Sequence, residues 1–158
     1  MYYFSVAALM LVLPLLSIGV AAWTDHAILN VSLVAKWFVF WAVGVRLLLA
    51  GLRQITKPQY TAQTILGLKG DEVQLVVREL GFANVAFGTI GTLSIFNVSW
   101  TMPAALAGGI FYGLAGINHT MQGGRNRLEN TAMVSDLMAA LLLLAFCCCR
   151  CITTGRID

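Results

Sequence analysis

The chain has 158 residues, 59% apolar and 11% charged, with a mean hydropathy of +0.81, which lies outside the range of soluble domains and makes the bilayer its main solvent. Its formal charge of +3 is too small, and its Lys and Arg too scattered between apolar runs, for a nucleic-acid surface. A spanning helix needs about 20 mainly apolar residues, so the chain has room for several.

The first predicted span covers residues 3–23, uncharged throughout, with Tyr2, Tyr3 and Trp23 where interfacial aromatics belong. No Lys or Arg precedes it, unlike the basic start of a cleaved signal peptide, so it reads as a retained helix with Pro14 as a kink point. The second span, residues 34–52, opens with Lys36 and Trp37 and carries Arg46 in its last third. Residues 53–74 form the longest connection and read as a solvated loop, with an interfacial helix over residues 60–68 as the alternative. The third span, residues 73–96, includes Arg78, Glu79 and Asn84; the link 97–99 is short, and the fourth span covers residues 100–118. A loop over residues 120–130 leads to the fifth span, residues 131–149, which holds Asp136. The expected fold is an all-α polytopic transmembrane helical bundle, a single integral membrane domain over residues 1–158.

Positive charge sets the expected orientation. Arg53, Lys57, Lys69 and Arg78 lie at or near the second connection, and Arg125 and Arg127 lie in the fourth. The links after spans one and three have none, apart from Lys36 just inside span two. Both basic loops should therefore face the cytoplasm, which puts the N-terminus inside and the C-terminus outside, against the pull of Arg150 and Arg156 in the tail.

This topology gathers the ionisable residues in one half of the membrane. Arg46, seven residues before Arg53, lies about 10 Å inside the end of its span at the rise of an α-helix. Glu79, His119, Glu129 and Asp136 fall near the same end of their spans. Ionisable groups at membrane depth face one another or a wet cavity, so Arg46, Glu79, Asn84, His119, Glu129 and Asp136 are the candidate lining of one cytoplasmic-side polar pocket. Arg46 stays charged at any accessible pH and needs a carboxylate, carbonyls or water; Glu79 or Asp136 is the expected partner. On span five, Glu129, Ala132, Asp136, Ala140 and Leu143 follow by three or four residues and share a face. On span three Gly81, Asn84, Gly88 and Gly91 form a stripe, while Glu79 lies on a different face; span four carries Ala105, Gly109 and Gly113 at four-residue steps. Such stripes of small residues let helix backbones approach closely.

No nucleophile elbow, Gly-rich phosphate loop or zinc motif is present, and no metal site is expected. Cys147, Cys148, Cys149 and Cys151 crowd one helix end; they read as small apolar residues, with acylation, a redox dithiol or a cross-link as the alternatives.

Residues 77–146 resemble the DoxX-like family of small helical-bundle membrane proteins, through Glu79, Leu80 and Gly81 opening one span, Pro103 to Gly109 opening the next, His119 at its end, and Glu129 to Leu144 in the last. Gln74 to Gly91, with Glu79, Gly81, Asn84 and Gly88, looks closer to an uncharacterised group of small prokaryotic membrane proteins. The resemblance implies a four-helix core of spans two to five with span one packed outside, in a prokaryotic cytoplasmic membrane. It also implies a role as a quinone-linked subunit, a partner in a redox complex or an assembly factor.

Three functions are open on these residues, and whether the chain is an enzyme is not among the things they decide. The first is an accessory or redox-complex subunit binding a quinone-like or lipidic ligand in the polar pocket, with quinone as the one cofactor to consider. The second is a small transporter or proton-coupled carrier using Glu79 and Asp136. The third is a ligand-free assembly or structural partner. The expected partners are the lipid bilayer and either further copies of the chain or another membrane protein.

Overall fold

The computed structural model describes residues 2–24, 26–68 and 70–154, with Thr153 and Thr154 in backbone only. Lys69 and Arg156, both counted in the charge distribution, lie outside the described residues. Among the described residues five helices are long and apolar enough to cross a membrane: α1 (Tyr2–Thr24), α2 (Val31–Thr56), α3 (Glu72–Leu93), α4 (Thr101–Met121) and α5 (Arg127–Thr154). The chain is an all-α polytopic bundle and an integral membrane protein.

Most of the helices run past their expected ends, because polar residues in the links cap them. Asn30 starts α2 by accepting a hydrogen bond from Leu33 N at 2.9 Å. Asn97 accepts from Ser99 N at 3.1 Å and opens a 3-10 turn, Val98–Trp100, that leads into α4. Asn126 and Glu129 form a capping box: Asn126 Oδ1 accepts from Leu128 N and Glu129 N at 2.8 and 2.9 Å, and Glu129 Oε2 accepts from Asn126 N at 2.8 Å.

Two helices contain wider turns. The π-helical segment Ala8–Val12 of α1 lies just before Pro14, which has no N–H to give the preceding turn. In α2 the π-helical segment Val39–Val45 ends immediately before Arg46. The expected solvated loop after α2 is a correction: residues Tyr60–Ile65 form a π-helical turn that folds back onto the bundle, with Thr61 8% and Ala62 0% exposed. Its apolar and hydroxyl side chains find cover there that a solvated loop would deny them.

α2 packs antiparallel along α3, and α4 along α5, while α1 lies beside α2 and reaches α5 near its own start. Trp41 Nε1 donates to Ser17 Oγ at 2.9 Å and ties α1 to α2. The pairing follows from small residues. A Cβ added to Gly88 would lie 2.4 Å from Leu48 N, and one on Gly91 would lie 2.5 Å from Gly44 N, so these backbones touch. On the other hairpin, Cβ atoms at Gly109 and Gly113 would lie 2.9 Å from Leu144 Cδ2 and 3.6 Å from Ala140 Cβ, and Ala105 is fully buried. Large apolar side chains such as Phe4, Trp23, Leu114 and Leu141 point outward instead, as expected where lipid is the solvent and close backbone packing drives association.

Candidate functional site

The bundle's polar centre is built around Arg46. The preceding π-helical segment delivers its side chain inward, where Nη2 donates to Asp136 Oδ1 at 2.8 Å and to Ser135 Oγ at 3.0 Å. Nη1 meets Met10 Sδ of α1 at 3.3 Å, and the guanidinium carbon stands 4.8 Å from the centre of the Tyr112 ring. Ser135 turns its own hydroxyl hydrogen to Ala132 O at 2.9 Å, leaving a lone pair for Arg46. The Arg46 and Asp136 side chains are 13% and 10% exposed. Neither could sit so deep in an apolar medium without the other.

Tyr112, 2% exposed, donates its hydroxyl to the carbonyl of Ala42 in the π-helical segment of α2. The wider turn frees backbone groups that a neighbouring side chain must satisfy, and Tyr112 does so while presenting its ring to Arg46.

Beside this pair opens a cavity of about 360 Å³, lined from all five helices and from the turn Tyr60–Ile65. Its polar lining includes Arg46, Asp136, Tyr112, Gln54, Asn84 and His119, and its walls include Leu9, Leu47, Leu80 and Phe111. Asn84 Nδ2 donates to Gln54 Oε1 at 2.7 Å, whereas Asn84 Oδ1 is buried without a partner, as is His119 Nδ1. At the mouth, the Arg53 guanidinium lies over the Tyr60 ring at 3.9 Å, and Asn126 Nδ2 holds Ile65 O at 2.9 Å. The second and fourth connections therefore meet at one end of the bundle.

Of the six residues expected to line one pocket, the structure brings four together: Arg46, Asn84, His119 and Asp136. Glu79 is exposed on the outer face of α3, because it lies off the Gly81, Asn84, Gly88 stripe that faces α2. Glu129 is buried on the expected face of α5 with Ala132, Asp136, Ala140 and Leu143, but its carboxylate caps the helix rather than lining the cavity. The ion pair also sits deeper than the position counted from Arg53. α2 continues to Thr56, so Arg46 is about 15 Å from the helix end.

Sequence patterning singles out neither Gln54 nor Tyr112. Gln54 carried a usable signal, since Gly44, Gly51 and Gln54 recur on one face of α2, opposite the small stripe of α3. An aromatic in an apolar span reads as ordinary core, and nothing local marked Tyr112.

Among the described residues no three His, Cys, Asp or Glu side chains converge as a metal site. Among the described residues no cysteine is joined in a disulfide; Cys147 is buried and Cys148, Cys149 and Cys151 are exposed.

A model of a family of unknown function (DUF6790) matches residues 1–153. No curated protein and no solved structure matches the chain. The DoxX-like resemblance of residues 77–146 finds no support in these comparisons.

Proposed function

The chain belongs to this family of unknown function, DUF6790, and we propose that it is a membrane-embedded accessory or redox-complex subunit that binds a quinone-like or other lipidic molecule in the cavity beside Arg46. One observation supports this reading above the others. A cavity of about 360 Å³ lies among spanning helices, with apolar walls for a tail and Gln54, Asn84 and His119 in its polar lining for a head. Pockets of this size and lining are typical of small-ligand sites. Asp136 balances the charge of Arg46 in the interior, while Arg53 adds positive charge at the mouth.

The remaining features fit a site that holds a ligand rather than one that passes protons. A proton-coupled carrier needs an acid free to change state during transport. Asp136 is held by Arg46, and Glu79 stands outside the cavity. In the proposed orientation the cavity mouth, with Arg53 and the turn Tyr60–Ile65, opens toward the cytoplasm of a prokaryotic cell.

Mass spectrometry of the protein released from gently solubilised membranes tests the proposal. A stoichiometric quinone-like or related lipid should be found, and it should be lost from Ala115→Phe, which fills the cavity from its wall. Protein that carries no lipid and shows no redox-dependent change would leave the third reading, a ligand-free assembly partner.

A further inference from the structure

We infer, on the reading of the cavity as a lipidic ligand site, that the lipid is acidic, with its carboxylate or phosphate head held by Arg53 at the mouth and its tail against the apolar wall.

Charge selects the head group. Of the side chains that line the cavity, Arg46, Arg53 and Asp136 carry formal charge at neutral pH, and protonation of His119 adds only to the positive side. Asp136, the one carboxylate among these described residues, lies 2.8 Å from Arg46, so that pair cancels. Arg53 is left over. No carboxylate among the described residues forms an ion pair with it. Glu79 stands on the outer face of α3, Asp71 accepts from Gln74 Nε2 at 2.7 Å, and Glu129 caps α5.

The geometry at Arg53 keeps its donors usable. Its guanidinium carbon lies 3.9 Å from the centre of the Tyr60 ring, a separation at which the flat group stacks on the ring and spends its face there. The N–H fork lies in the edge of the group, which a carboxylate or phosphate engages with two parallel hydrogen bonds. Beside it, Gln54 accepts from Asn84 with its carbonyl oxygen and keeps its amide nitrogen to donate, and Tyr60 and Thr61 add hydroxyls.

Depth arranges these groups as an amphiphile needs them. Arg53 is three residues from the end of α2 at Thr56, about 5 Å inside it, where lipid head groups lie. Leu9, Leu80 and Phe111 are seven, eight and ten residues from the corresponding ends of α1, α3 and α4, about 10 to 15 Å in. A charged head therefore meets Arg53 while its chain meets apolar side chains. At an exposed arginine the pairing should favour an anion over an uncharged head by at least about fivefold, and salt should reduce the preference.

Binding of four amphiphiles with one tetradecyl chain, measured on the purified full chain in a sugar-headed detergent at low salt and mildly alkaline pH, tests this. They are the alkyl phosphate, the fatty-acid carboxylate, the alcohol and the trimethylammonium. The phosphate and carboxylate should bind at least about fivefold more tightly than the alcohol, with the ammonium weakest. Raised salt or Arg53→Gln should close the gap to within about twofold, and Ala115→Phe, which fills the cavity, should weaken all four. A gap that persists in Arg53→Gln overturns the inference, as does anion binding that survives Ala115→Phe at full strength, since Arg53 then meets only the surroundings of the helices. Inorganic phosphate that displaces the alkyl phosphate at comparable concentration also overturns it, by assigning Arg53 to a free anion. An alcohol that binds the unmodified protein as tightly as the anions overturns it whether or not Arg53→Gln folds, and leaves the lipid site standing. If none of the four binds, the lipid-site reading falls and takes the inference with it.

Discussion

Arg46 Nη2 and Asp136 Oδ1 lie 2.8 Å apart although 90 residues separate them in sequence, and this contact joins α2 to α5 at the depth where an unpaired charge is least tolerated. Removing one member of a buried pair leaves the other in a poor solvent and typically costs about 3 to 5 kcal/mol. Arg46→Leu and Asp136→Leu should each lower thermal stability in detergent by that order, while the double variant recovers much of the loss. Glu79→Gln should be nearly neutral alone and additive with Arg46→Leu, because Glu79 faces outward. Additive losses for Arg46 and Asp136 would mean the two do not act as a pair.

The contact between α2 and α3 makes an equally direct test. Gly88→Ala would put a Cβ 2.4 Å from Leu48 N, a backbone atom that can move only if the helices part. Overpacking of this kind costs about 1 to 3 kcal/mol, read as a lower melting temperature of the purified chain. Gly19→Ala on α1, where the added Cβ meets nothing within 4 Å, is the control and should be neutral or slightly stabilising.

Tyr112→Phe removes the donor to Ala42 O while keeping the ring beside Arg46. Leaving a buried carbonyl unsatisfied costs about 1 to 3 kcal/mol. The matching change at exposed Tyr3, Tyr3→Phe, should stay within about 0.5 kcal/mol. Chemical denaturation of the two variants side by side separates a specific role for the Tyr112 hydroxyl from a general effect of the substitution.

Orientation is tested by accessibility. In a background with the four cysteines replaced, Gln59→Cys and Gly123→Cys should react with an impermeant thiol reagent only after the membrane is opened, and Ser99→Cys should react on intact cells. Gly123 lies in open space, so its replacement should leave the fold undisturbed. Labelling of either of the first two from outside would reverse the cytoplasmic placement of the basic loops.

Much of this architecture was legible in the chain. The five spans follow from runs of apolar residues, and the small stripe of α3 and the Glu129 to Leu143 face of α5 follow from helical spacing, because a repeat of three and four residues has only one place to face. The candidate site was legible where a residue had few physical options. Arg46 cannot neutralise and needs a carboxylate, carbonyls or water, and it meets Asp136. Glu79 had two options, the pocket or the outer face near the membrane surface, and depth alone did not decide between them. Glu129 had a third, the cap of its own helix, signalled by Asn126 three residues before it. The π-helical segments left no trace in the sequence, since a wider turn among apolar residues changes which face they show without changing their polarity. The turn over residues 60–65 was legible only as an alternative, because its burial depends on a surface made by other helices.

The segment Val39–Val45 also fixes how α2 responds to changes in length. A π-helical turn holds one residue more than an α-helical turn would in the same rotation, so it can lose a residue by tightening, with the helix on either side keeping its direction. A one-residue deletion at Val45 should therefore still leave Arg46 facing Asp136, whereas a deletion at Leu49 should swing every residue between it and the helix end through about 100°, turning Gln54 away from Asn84. Within one helix, the stretch just before the buried charge can be shortened, and the stretch just after it cannot.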